Sequence, residues 1–84
     1  MAKTFTSVSD SIILCSLPIN ENLFAVGCKD GSLTFYDQRG KVVKNSRDHK
    51  SSICTLALIN NNSFLVSGGD HPHSEIYLWD IRSL

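Results

Sequence analysis

The side chains in this chain best suited to chemistry are its three histidines. His71 and His73 flank Pro72 in one short segment beside Asp70, and His49 stands upstream of Ser67. Two His and one Asp are a partial ligand set for zinc, which takes three or four N, S or O ligands in a tetrahedral array. No Cys-x-x-Cys accompanies them, so the plainer reading is a polar turn stiffened by Pro72, with no resident metal. A metal-binding His loop stays as an alternative, because several copies brought round one axis would complete a ligand set. Ser67 and His49 could act as nucleophile and base if an acid lined up behind them. No Gly-rich phosphate loop appears, since Gly68-Gly69 closes an apolar run and no helical pattern follows. Cys15, Cys28 and Cys54 are odd in number and fall in or at the ends of apolar runs, as expected of buried free thiols rather than a disulfide framework.

The elements that would position these groups repeat. Phe24-Ala25-Val26-Gly27-Cys28-Lys29-Asp30-Gly31 and its sequel Leu33-Thr34-Phe35-Tyr36-Asp37 return as Phe64-Leu65-Val66-Ser67-Gly68-Gly69-Asp70 and Ile76-Tyr77-Leu78-Trp79-Asp80. At a spacing of 41, Ile12 meets Ile53, Cys15 meets Leu56, Leu17 meets Leu58 and Ala25 meets Val66; past the turn Tyr36 meets Trp79 at 43. The two extra residues fall in Asp70–Ser74, where a loop grows without shifting a ladder. Strands are expected over Ser11–Leu17, Leu23–Cys28, Ser32–Tyr36 and Lys41–Ser46, then Ser52–Ile59, Phe64–Gly68 and Glu75–Trp79. Pro18–Asn22, Lys29-Asp30-Gly31, Gln38-Arg39-Gly40 and Asn60–Ser63 separate them. Asp30-Gly31 between apolar runs is a strong hairpin signal, expected with positive φ at both residues. Tyr77 should lie on the face opposite Ile76 and Leu78.

The second unit lacks a fourth strand, and residues 1–7 sit in phase with the outer strand of a unit. The expected organisation is therefore one two-unit domain over 1–84: a closing strand at 1–7, a first repeat at 8–47 and a second at 48–84.

Four-stranded units of this length ending in Trp-Asp resemble the WD-repeat β-propeller family. Asp48-His49 stands where that family has Gly-His, Ser67-Gly68-Gly69-Asp70 resembles its Ser-Gly-x-Asp segment, and Leu78-Trp79-Asp80 ends the third strand. The resemblance implies an all-β fold of two four-stranded antiparallel propeller blades, the N-terminus supplying one outer strand. It also implies a buried hydrogen-bonded chain of Trp79, Ser67, His49 and Asp70 that stiffens the second blade. The insertion leaves two places for the acid, Asp70 or a residue nearer Ser74. In the first unit, Val8, Val26 and Tyr36 replace His, Ser and Trp, so that blade is expected to pack without such a chain.

A closed propeller needs typically 4–8 blades, so two of them leave apolar faces to be covered. The expected function is a non-catalytic protein–protein interaction scaffold whose ring closes with three or four copies or with other chains. The alternative is an engineered or excised fragment that only self-assembles. In the family, partners dock on loops along one rim. The candidates here are Lys29, Asp30, His71 and His73 from one set of turns and Arg47, Asp48 and Lys50 from the inter-unit link. Lys+Arg 8 balance Asp+Glu 8 with no basic run, which disfavours nucleic acid and anionic membranes as partners. No apolar run reaches membrane-spanning length and no secretion-signal core is evident, so an intracellular setting is expected.

Overall fold

The computed structural model describes Thr4 and residues 10–84, and the expected closing strand over 1–7, together with Val8, lies outside these apart from Thr4. The described chain is all-β. β1 (Ile13–Asn20), β2 (Leu23–Cys28), β3 (Leu33–Asp37) and β4 (Val42–Ser46) form one antiparallel sheet in chain order; β5 (Ile53–Ile59), β6 (Phe64–Gly69) and β7 (Ile76–Asp80) form a second. A single 3-10 turn, Ile81–Ser83, follows β7, with Asp80 capping it through its side chain. No helix among the described residues is long and apolar enough to cross a membrane.

The turns explain why these segments pair. After β2, Gly31 N donates to Cys28 O at 3.1 Å and Cys28 N donates to Ser32 O at 3.0 Å. After β3, Gly40 N donates to Asp37 O at 3.0 Å and Asp37 N to Lys41 O at 2.9 Å. Gly31 and Gly40 carry the positive φ, 89° and 87°. Both connections are therefore three-residue hairpins, a type I turn followed by a left-handed glycine. The expectation of positive φ at both Asp30 and Gly31 is corrected, because Gly31 alone makes the reversal. The Asn60–Ser63 turn instead puts Asn60, Asn61 and Asn62 all at positive φ, the conformation asparagine tolerates best after glycine.

Two expectations for the inner strands change. β1 runs on through Pro18 to Asn20 instead of ending at Leu17, with a register irregularity between Pro18 and Asn20. Pro18 is admitted because β1 is an edge strand, where a missing N–H need cost no ladder bond. The bulge turns Ile19 inward, into the core. The pairing also shifts the repeat by one residue: Ser16 faces Val26 as Leu56 faces Ser67, so β5 follows β1 at 40 and not 41.

Leu17, Ala25 and Phe35 lie across from one another in the first sheet, and Leu58, Leu65 and Trp79 do so in the second. These two faces pack together as the main core, with Ile19, Leu33 and Ile53 fully inside it. The sheets come closest along β1 and β5, with β2 also reaching β5. At that approach a Cβ on Gly27 would stand 2.7 Å from the Ile53 side chain, so only glycine fits. The other face of the first sheet carries Phe24, Val26, Cys28 and Tyr36, the Phe24 and Tyr36 rings stacked at 5.4 Å. Tyr36 and Trp79 occupy equivalent positions, so each sheet turns the same face the same way and the second stacks on the first head to tail. The opposite face of the second sheet is left open, with Ile76 75% and Leu78 59% exposed.

The thiols divide. Cys28 is buried and Cys15 half-buried, where burial pushes its thiol above the ordinary range. Cys54 is exposed, contrary to expectation, and sits where the β5–β6 register breaks between Ile53 and Thr55.

Candidate functional site

Beneath the loops at one end of the second sheet, three residues form a continuous polar chain inside the apolar core. Ser67 sits on β6 opposite Tyr77 and Trp79 sits on β7 opposite Leu65, so Ser67 and Trp79 are diagonal neighbours on one face. His49 enters from the link between the sheets. Trp79 Nε1 donates to Ser67 Oγ at 2.8 Å, and Ser67 Oγ lies 2.7 Å from His49 Nε2. His49 is 4% exposed and Ser67 0%. The Tyr77 ring meets the His49 ring edge-on at 4.6 Å, and its hydroxyl donates to Asp48 O at 3.1 Å. Burial holds the His49 imidazole below the usual histidine range, against the opposing pull of Glu75 and Asp48.

Asp70 does not join this chain. Its carboxylate accepts from His71 N at 2.8 Å, turned along its own loop by the two inserted residues. His49 Nδ1 and Glu75 Oε1 are both buried and have no hydrogen-bond partner. Glu75 and Tyr77 were not singled out as site residues from sequence. The signal for Tyr77 was its alternation with Trp79, which places both rings on the face that receives His49.

The remaining candidates come together above this chain as a rim of three connected loops. Ser52 Oγ donates to Lys29 O at 2.7 Å, and Asp70 N donates to Ser52 O at 2.8 Å. His73 N donates to Ser51 Oγ at 3.2 Å, and Arg47 approaches Asp30 at 3.7 Å. Asp30 also accepts from Ser32 N at 3.0 Å, so its carboxylate organises the hairpin as well as facing Arg47. Lys29, Asp30, Arg47, Asp48, Lys50, His71 and His73 thus all occupy one end of the molecule, and all are exposed. Among the described residues no three His, Cys, Asp or Glu side chains converge as a metal-ligand group. A separate cleft of about 280 Å³ lies over Leu17, Pro18, Glu21 and Phe24, and none of the rim residues lines it.

No protein-family model matches this chain, and no curated protein matches it. The site is therefore read from its own geometry.

Ser67 is fully buried, so the hydrogen bonds that its Oγ makes to Trp79 and His49 tie β6, β7 and the link together inside the core. The rim is different, because backbone hydrogen bonds fix its loops while its charges face water. Gly31 is the keystone. A Cβ there would collide with the His49 carbonyl and stand 3.0 Å from Ser51 O, and its φ of +89° is strained for any other residue. Gly31→Ala is expected to cost about 1–3 kcal/mol. It should read as a lower urea midpoint at unchanged m-value.

Proposed function

We propose that this chain is a two-blade WD-repeat unit of a β-propeller and serves as a non-catalytic protein-interaction scaffold. The observation that carries the reading is head-to-tail stacking: two sheets built from one repeated pattern meet through non-equivalent faces, closest at their inner strands. Such a contact is heterologous, and heterologous contacts repeat into rings when the rotation closes. The buried His49–Ser67–Trp79 chain, at the positions of the family's own, adds support. The open face around Ala57, Val66, Ile76 and Leu78 corresponds to the face of the first sheet that already receives Trp79, so the same packing can be repeated there. An exposed apolar patch of this kind marks an interaction surface. Among the described residues no strand pairs with the outer edge of β7, and residues 1–7 of the same or a neighbouring chain are the proposed source of a further strand there.

Light scattering behind a sizing column tests this directly. A mass three or four times the chain is expected for a self-closing ring, and a larger assembly only with another chain if the remaining blades lie elsewhere. A stable folded monomer would sink the reading.

The rim is the proposed docking surface for a short polar or charged peptide of a partner protein, in an intracellular setting. Reversing Arg47 and Lys50 together to glutamate should weaken such binding at least about tenfold while leaving the circular dichroism spectrum unchanged, since both are exposed. Unchanged affinity would remove the rim from the proposal.

A further inference from the structure

The proton count of the buried chain leads one step further. Trp79 Nε1 can only donate, so Ser67 Oγ accepts from it. Ser67 has one proton left, is fully buried, and its remaining close neighbour is His49 Nε2 at 2.7 Å. Spending that proton on Nε2 satisfies the hydroxyl; keeping Nε2 protonated would strand it in an apolar core, which is costly. The neutral ring therefore carries its own proton on Nδ1. That nitrogen has no partner, and neither does the buried Glu75 Oε1 at the foot of β7. Nδ1 is pressed against the end of β6, where a Cβ on Gly69 would stand 2.9 Å away.

We infer that Glu75 is the acid of this chain, taking the Nδ1 proton of His49 directly or through one water, and that the pair is a proton-operated latch on the Arg47–Lys50 segment of the rim. The latch works through proton direction. When a second proton reaches His49, Nε2 becomes a donor to Ser67 Oγ, which already accepts from Trp79, and the serine hydroxyl loses its acceptor. The groups that face the ring are Ser67 and Gly69 from β6, Tyr77 from β7, Glu75 from the end of the insertion loop, and Asp48 beside it on the link. Glu75 and Asp48 favour the proton; burial opposes it and prevails. The folded chain thus binds this proton less readily than the unfolded one. Stability from the closed latch is complete above the ordinary value of 6.5 and is lost as the pH falls below it. Because Tyr77 holds the Asp48 carbonyl and meets the His49 ring edge-on, opening frees the segment that carries Arg47, Asp48 and Lys50.

The rim's role as a docking surface belongs to the proposal above, and the test needs no partner. On the full chain, nitrogen-detected NMR of the imidazoles at pH 7.5 should place the His49 proton on Nδ1. Amide protection at Asp70, whose N–H donates to Ser52 O on the same link at 2.8 Å, should fall about tenfold between pH 7.5 and 5.5, the weight of one hydrogen bond. In Glu75→Gln, which keeps an acceptor but removes the charge, the midpoint of that fall should move to lower pH. A proton on Nε2 at pH 7.5, or the same midpoint in Glu75→Gln, would overturn the inference, whatever the rim binds.

Discussion

Ser67→Ala is expected to remove about 2–4 kcal/mol of folding free energy, although it deletes a single oxygen. The oxygen is shared. Its loss leaves the Trp79 indole N–H and His49 Nε2 without partners in a site where Ser67 is 0% and His49 4% exposed. An orphaned buried donor or acceptor costs more than a satisfied hydrogen bond contributes, so the penalty is counted at two groups at once. Trp79→Phe and Ser67→Ala should then combine with less than additive effect, because each removes the same hydrogen bond. Chemical denaturation of the two single variants and the double variant measures this. Full additivity would mean that the Trp79–Ser67 contact carries no weight.

Phe35→Ala should cost about 3–5 kcal/mol, the largest effect expected of any single change here. Phe35 is 0% exposed, pairs with Ala25 across the first sheet, and meets the Trp79 ring edge-on at 6.2 Å across the inter-sheet core. Its removal opens a cavity between the sheets and ends an aromatic contact of favourable geometry. Domains have roughly 0.05–0.15 kcal/mol per residue of net stability, about 4–13 kcal/mol for 84 residues, so the loss is a large fraction of the total. A urea titration with intrinsic Trp79 fluorescence should show the midpoint of Phe35→Ala displaced to much lower urea. Tyr36→Ala, on the other face, should leave the Trp79 environment of the folded state unchanged, which separates a core defect between the sheets from a general one.

What could be read beforehand follows the physics each residue obeys locally. The hairpins were legible because Asp30-Gly31 and Gln38-Arg39-Gly40 interrupt alternating apolar runs, and a left-handed glycine leaves the chain little choice but to reverse. The His49–Ser67–Trp79 grouping was legible through its resemblance to a known pattern. Ile19 was not, because a proline beside it argues for a turn, and only its place on an edge strand makes Pro18 harmless. The acid was not either. Which carboxylate faces a buried imidazole depends on where an inserted loop folds, and Asp70 spends its charge on the neighbouring His71 amide. Cys54 misled for a related reason: an apolar strand with a thiol reads as interior, yet the pairing of β5 breaks at this residue, which strict alternation does not foresee.

Each described strand pairs with the strand next to it in sequence, and no ladder joins the first sheet to the second. The stacking of the two sheets therefore rests on nearest-neighbour closures of a few residues each, with the docking of β5 on β1 as the one step that must wait. Loop-closure entropy is small for every hairpin and falls due mainly at that docking. The first sheet can zip up while the second is still leaving the ribosome, and a nascent chain paused after Ser46 already holds every strand that sheet requires.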